Sequence, residues 1–245
     1  MDKYGEISRF LQEARGDMES PGYVRALTDP DYRMATIICM ALAFTNQLTG
    51  INAINIYSTT IYQNIQDESG GDGGISPRLG SVLNALAELF ACATSIFVSY
   101  FSFRTIVNGG FLFMGISMTI VAVLEIEKKD TLLICTMMIF LAFYQWTLGT
   151  YSWVYLPQVA CDEGLSLGTA TLWGTVFIIS LTTNSMFDGL GSAGTFFFFA
   201  GGSLVSAVFF FIFLKETKGL SRDECQKLYS RNKRQNKTAS GDGEI

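Results

Sequence analysis

Four carboxamides, Asn46, Gln47, Asn52 and Asn55, fall within ten residues of an otherwise apolar run from Phe44 to Ser58. An amide side chain does not ionise and is no nucleophile. It offers two N–H donors and a carbonyl acceptor, so the chemistry open to such a set is recognition of hydroxyls rather than bond making. At about 100° per residue, Gln47, Asn52, Asn55 and Ser58 of one continuous helix share an arc of roughly 140°. In hydrocarbon an unpaired amide costs a few kcal/mol, so polar groups at membrane depth face a cavity or a partner. Interhelical hydrogen bonds, at about 0.6–2 kcal/mol each, are the plainer use; four amides together favour a ligand-lining face.

A second polar set repeats the theme. Gln145, Gly149, Ser152 and Trp153 fall on one side of an ideal helix, with Thr147 and Thr150 nearby. An indole at this place either stacks on the apolar face of a sugar ring or marks the bilayer interface, and the spacing leaves both open. Gly50 and Gly149 interrupt their apolar runs at comparable places, and Gly-interrupted segments at matching positions of a repeat point to a midplane binding site in secondary transporters. Further along, Thr182, Thr183, Asn184 and Ser185 form a cluster that serves either as gate or as packing. Asn84 and Glu88 lie in the outer part of a second apolar run, where a carboxyl either carries a proton or reaches the headgroups.

The elements that must hold these groups are membrane spans. Of 245 residues, 49% are hydrophobic and 16% charged, with twenty Phe and no His, a composition outside that of an ordinary soluble domain. Six runs, at 34–62, 81–102, 107–125, 131–159, 167–189 and 195–214, each approach the ~20 apolar residues a bilayer crossing needs and are bounded by charge or by Gly, Pro and Asp. Residues 1–33 read as a cytoplasmic amphipathic helical segment, 34–214 as a six-helix bundle, and 215–245 as a polar cytoplasmic tail. The segment 63–80, with Gly70, Gly71, Gly73 and Gly74, reads as a flexible loop. An even span number puts both termini on one side. Fourteen of the seventeen Lys and Arg then flank that side, against Arg78, Lys128 and Lys129 on the other, and an excess of basic residues marks the cytoplasm. The sequon Asn236-Lys-Thr238 is then cytoplasmic and expected to carry no glycan.

Covalent chemistry has little to stand on. Histidine is absent, no GxGxxG, Walker or GxSxG pattern occurs, and the five cysteines stand singly, without disulfide or metal spacing. No enzyme, metal site or cofactor is expected. A net charge of −5 with no basic stripe outside the membrane flanks argues against nucleic acid.

With these residues in place, the sequence resembles the sugar porter family, the glucose-transporter-like branch of the major facilitator superfamily, from about Leu27 to Cys225. Asn46-Gln47-Leu48-Thr49-Gly50-Ile51-Asn52-Ala53, followed by Tyr57-Ser58-Thr59, is similar to the QQ-L-[ST]-G-I-N-A and YYST pattern of the family's seventh helix. Lys215-Glu216-Thr217-Lys218-Gly219 resembles the PETKG signature after the twelfth, with Leu214 where the family has Pro, and Trp153-Val154-Tyr155 resembles the tenth-helix region. The resemblance implies an all-α membrane fold: six transmembrane helices forming the carboxy-terminal bundle of the major facilitator fold, built from two three-helix repeats. It implies sugar-contacting roles for Asn46, Gln47, Asn52, Asn84, Gln145 and Trp153. On the inner face it leaves Arg104 and Glu216 as the charge network, because Gln158 and Leu167 stand where the family has an acid and an Arg.

The polar sets and the resemblance together lead to an expectation of monosaccharide transport, a hexose such as glucose, by alternating access. The implied partners are the sugar, the bilayer and a second six-helix half, since a carrier of this family has twelve helices. The plasma membrane is the expected host. The alternatives are a membrane sugar sensor that transports nothing, or a truncated product without function.

Overall fold

The computed structural model of the protein describes residues 22–68 and 77–230. The first part of the amphipathic segment, the glycines Gly70 to Gly74 and the Asn236 sequon lie outside the described residues. Among the described residues all regular structure is helical. In hydrocarbon no water can satisfy backbone polar groups, and the helix closes its hydrogen bonds within one segment.

Helix α1 (Gly22–Thr28) leads through a turn, in which Asp29 Oδ1 accepts the Asp31 amide at 3.0 Å, into α2 (Arg33–Gln47). After a break come α3 (Ile51–Glu68) and α4 (Pro77–Thr94), and α4 tightens into a 3₁₀ segment, Ser95–Tyr100. Side-chain hydroxyls explain that tightening. Thr94 Oγ1 donates to Phe90 O at 2.8 Å, Ser95 Oγ to Cys92 O at 2.7 Å and Tyr151 OH to Ser95 O at 3.0 Å, occupying the carbonyls that would continue the α ladder. Next come α5 (Phe103–Ile126), α6 (Asp130–Tyr144), a π turn (Gln145–Gly149), α7 (Thr150–Val159) and α8 (Asp162–Phe213). Helix α9 (Arg222–Lys227) closes the described chain, its first turn held by a reciprocal capping box between Ser221 and Glu224.

Five stretches are long and apolar enough to cross a membrane: Arg33–Gln63, Arg78–Val98, Phe103–Ile126, Asp130–Val159 and Asp162–Phe213. The sequence predicts two separate spans in the last of these. They emerge as one 52-residue helical stretch in which Gly191, at φ 73° and ψ 168°, leaves helical geometry. Gly191 falls in the predicted gap between 189 and 195, so the boundary is present as a backbone break without an intervening loop.

Helix α5 sits at the centre, packed on α8 and α6, while α2 also packs on α8. Its Val107, Phe111, Met114, Met118, Val121 and Ala122 are fully buried and recur at the three- and four-residue spacing of one helix face. Phe111 stacks on Phe210 of α8 with ring centroids 5.3 Å apart. Outward, Phe90, Phe97, Phe177 and Phe211 are 65–68% exposed, an inversion of soluble folds that suits a lipid surround. Between helices in lipid, close van der Waals packing rather than water expulsion holds such a core together.

Candidate functional site

The site is organised by two interruptions in helices. The first separates α2 from α3 at Leu48-Thr49-Gly50. Thr49 Oγ1 donates back to Asn46 O at 2.7 Å and the Gly50 amide to Gln47 O at 3.2 Å, so α2 ends in a tight turn. Gly50 then adopts φ 81°, a left-handed conformation open to glycine at little cost. It also has no room for a side chain: a Cβ there would stand 2.3 Å from Met118 Cε and 2.8 Å from Phe199 Cγ. The first turn of α3, which carries Asn52, presents backbone N–H groups that lack intrahelical acceptors, together with the positive end of the helix dipole.

On a continuous helix Gln47, Asn52 and Asn55 would share a face and Asn46 would lie about 100° off it; the break re-aims Asn46 and Gln47 against α3. Asn46 is 2% exposed and spends its amide on the fourth span: Nδ2 donates to Leu148 O at 3.3 Å and Ser152 Oγ at 3.0 Å, and Oδ1 accepts from Tyr144 OH at 2.6 Å. Gln47 and Asn52 meet each other, Asn52 Nδ2 donating to Gln47 Oε1 at 2.9 Å. That bond leaves Gln47 Nε2 and Asn52 Oδ1 without a hydrogen-bond partner among the described residues. Asn55 is exposed.

The second interruption is the π turn at Gln145–Gly149. A π turn inserts one residue into the helix, so every later residue is set back by about 100°. Trp153 thereby comes nearly into line with Gln145, while Ser152 swings to the side of Tyr144, which is why both hydroxyls reach Asn46. The predicted grouping of Gln145, Gly149, Ser152 and Trp153 is corrected to this extent: Ser152 leaves the set for the helix interface. Gly149 is where Gln145 folds over the backbone, its Oε1 2.7 Å from where a Cβ would sit. The Gln145 side chain has no hydrogen-bond partner among the described residues, and Trp153 is 48% exposed. Trp146 holds the turn against α4, Nε1 donating to Thr94 Oγ1 at 2.7 Å.

Other predicted residues lie elsewhere. Asn84 is buried between α4 and α3, donating to Ser58 Oγ and accepting from Tyr62 OH, each at 3.2 Å. Glu88 stands eleven residues from the start of α4 and six from its end. The hydroxyls of Thr182 and Thr183 turn back onto Ile178 O and Ile179 O, so these two serve their own helix. Sequence reasoning misses Tyr144, whose hydroxyl fixes Asn46. Its position beside Gln145 is visible in the sequence, but its direction depends on the π turn.

At the end of the bundle where α5 begins, Arg104 and Glu216 come together, though not as two opposed side chains. Glu216 accepts the amides of Phe103 at 3.0 Å, Arg104 at 3.1 Å and Lys218 at 2.9 Å, and so caps the head of α5. Burial acts to raise the Glu216 carboxyl, but the N–H groups of Lys218, Arg104 and Phe103 and the Ser102 hydroxyl outweigh it and hold it below its ordinary value. The Arg104 guanidinium donates to Phe211 O and lies 5.2 Å over the Phe211 ring. Beside them Tyr155 OH reaches Lys215 O at 3.0 Å and Tyr229 OH at 2.9 Å. Gln158, at the place of the missing acid, has Oε1 buried without a partner among the described residues.

The comparisons with known proteins bear on this arrangement. The family model described as "Sugar (and other) transporter" matches residues 5–229. A putative polyol transporter of Arabidopsis thaliana is 30% identical over 226 residues, 86% of this chain and 44% of its own. The facilitated glucose transporter member 2 of solute carrier family 2 from Rattus norvegicus is 28% identical over 89% of this chain and 44% of its own. The major myo-inositol transporter IolT of Bacillus subtilis is 25% identical over 82% and 44%. The chain thus spans less than half the length of each of these relatives.

Proposed function

The chain belongs to the sugar porter family of the major facilitator superfamily, and on that premise we propose that it carries a hydroxyl-rich solute across a membrane, a hexose such as glucose, as the carboxy-terminal bundle of an alternating-access carrier. The bundle runs over 34–214 between an inner segment 1–33 and an inner tail 215–245. It counts six crossings when α8 is taken as two helices meeting at Gly191. A 52-residue helix would run about 78 Å at 1.5 Å per residue, far beyond a hydrocarbon core of about 30 Å. In this proposal both termini face the cytoplasm, following the distribution of basic residues, and the host is the plasma membrane. A second six-helix half completes the central cavity.

The observation that carries this reading is the set of amide atoms on Gln47, Asn52 and Gln145 that have no hydrogen-bond partner among the described residues, held beside two helix interruptions. Sugar hydroxyls both donate and accept, so they suit the two amide nitrogens and two carbonyl oxygens of this set. The Trp153 ring offers an apolar surface for the sugar's C–H face. Asn46 and Asn84 contribute by holding helices in place. A hydroxyl-binding site needs no cofactor and makes no bond.

The test is uptake of labelled glucose into hexose-transport-null cells expressing the chain. Saturable uptake is expected, competed by unlabelled hexose or polyol and reduced about tenfold by Trp153→Ala, the scale of a lost close contact of about 1.4 kcal/mol. Sugar binding without counterflow would convert the reading to a sensor; neither binding nor uptake would defeat both.

A further inference from the structure

The buried Asn46 amide meets the fourth span at three levels. Its Oδ1 accepts from Tyr144 OH at 2.6 Å just before the π turn, its Nδ2 donates to Leu148 O at 3.3 Å within the turn, and the same Nδ2 donates to Ser152 Oγ at 3.0 Å just after it. The two ends of the shortest of these bonds are the chain neighbours of two amides assigned to the solute: Asn46 precedes Gln47, and Tyr144 precedes Gln145. Gly149 adds a second tie on the Tyr144 side. A Cβ there would stand 2.7 Å from Gln145 Oε1 and 3.1 Å from Tyr144 Cε1, so the phenol ring and the glutamine amide lie together over that bare backbone. The two helix interruptions are therefore joined through one buried amide, and its bond to Tyr144 runs between the residues next to the open amides.

Amides that recognise hydroxyls discriminate by where they stand, because a hydrogen bond needs its heavy atoms about 2.7–3.2 Å apart and a mispaired polar group in the site costs more than the bond it fails to make. We infer that Tyr144 is a positioning residue that sets solute selectivity: its hydroxyl, bonded to Asn46, fixes the spacing of Gln47 against Gln145 and so decides which arrangement of hydroxyls on a six-membered ring the pair can bridge. The phenol acts through Asn46 and not by touching the solute. The inference rests on the sugar-binding reading above and adds to it the source of selectivity among stereoisomers. A bond of the same kind, from Tyr62 OH to Asn84 Oδ1 at 3.2 Å, ties α3 to α4 with none of the solute-facing amides beside it in the chain, and it supplies the matched comparison.

The experiment uses the full chain, purified in detergent, with tritiated glucose displaced by glucose, galactose, mannose or myo-inositol. The unaltered chain should separate its best competitor from its worst by about tenfold or more, a factor equal to about 1.4 kcal/mol. Tyr144→Phe, which removes the hydroxyl oxygen and keeps the ring, should narrow that spread to about threefold, whereas Tyr62→Phe, the same loss at the other Tyr–Asn bond, should leave it near tenfold. A merely structural role for Tyr144 would lower the melting temperature in both variants and move the spread in neither. A spread that survives Tyr144→Phe, one that narrows equally in Tyr62→Phe, or equal competition by all four compounds on the unaltered chain overturns the inference and leaves the sugar-binding reading standing. Absence of any glucose binding to the unaltered chain removes both. Should Tyr144→Phe not fold, Asn46→Ser breaks the same bond from its other end, and a full spread in that variant contradicts the proposal.

Discussion

Alanine at position 50 is expected to destabilise the protein by about 2–5 kcal/mol, the sum of a left-handed backbone penalty of about 1–2 kcal/mol and an overpacking cost of about 1–3 kcal/mol. The first term comes from φ 81° at Gly50. The second comes from the neighbours a methyl would strike. Met118 Cε, 2.3 Å away, is the end of a flexible chain and can yield; Phe199, with Cγ at 2.8 Å and Cβ at 2.9 Å, belongs to the core of α8 and yields much less. Gly109→Ala is the control, since that helical glycine has nothing within 4 Å of its Cβ direction. It should be neutral or stabilising by up to about 1 kcal/mol from helix propensity alone. Thermal denaturation in detergent would separate the two, and equal melting temperatures would show that the break at 48–50 is not held as described.

Asn46→Leu is expected to cost about 2–4 kcal/mol, because it abolishes three hydrogen bonds and leaves the Tyr144 and Ser152 hydroxyls to find partners inside a helix interface. The family pattern implies that Asn46 touches the sugar, but its amide is already committed to Leu148 O, Ser152 Oγ and Tyr144 OH. The substitution should therefore lower the melting temperature strongly. At a temperature where the variant remains folded, sugar affinity should change less than in Gln47→Leu. Intact stability with lost affinity would return Asn46 to the sugar-contacting set.

Much of this arrangement is legible in the sequence because its causes are local. Apolar runs of the length that a bilayer demands mark the spans, and Gly50 and Gly149 announce the two interruptions that place the site. The details that are not legible depend on backbone geometry at those interruptions. A straight helix from 34 to 62 puts Asn52, Asn55 and Ser58 on one face with Gln47. The turn at 48–50 re-aims Gln47 relative to α3 and pairs it with Asn52, while Asn52, Asn55 and Ser58 keep their own spacing along α3, where Ser58 meets Asn84. An ideal fourth span likewise puts Ser152 beside Trp153, and a single inserted residue reverses that. The pairing of Arg104 with Glu216 is found by motif, but its form is not. A capping carboxylate depends on where α5 starts, and Ser102 and Phe103 fix that start.

The central claim is that Gln47, Asn52 and Gln145 hold amide atoms open for a hydroxyl-rich solute. Equilibrium binding of tritiated glucose to the purified full chain tests it most directly, measured in parallel on Gln47→Leu, Gln145→Leu and Asn84→Leu. Loss of one neutral hydrogen bond is worth about 0.5–1.5 kcal/mol, and more when a polar partner is stranded. Gln47→Leu and Gln145→Leu should each weaken binding about tenfold without a matching loss of stability, whereas Asn84→Leu should lower stability and leave affinity nearly unchanged. Equal affinity across all three variants, or affinity lost only in Asn84→Leu, would contradict it.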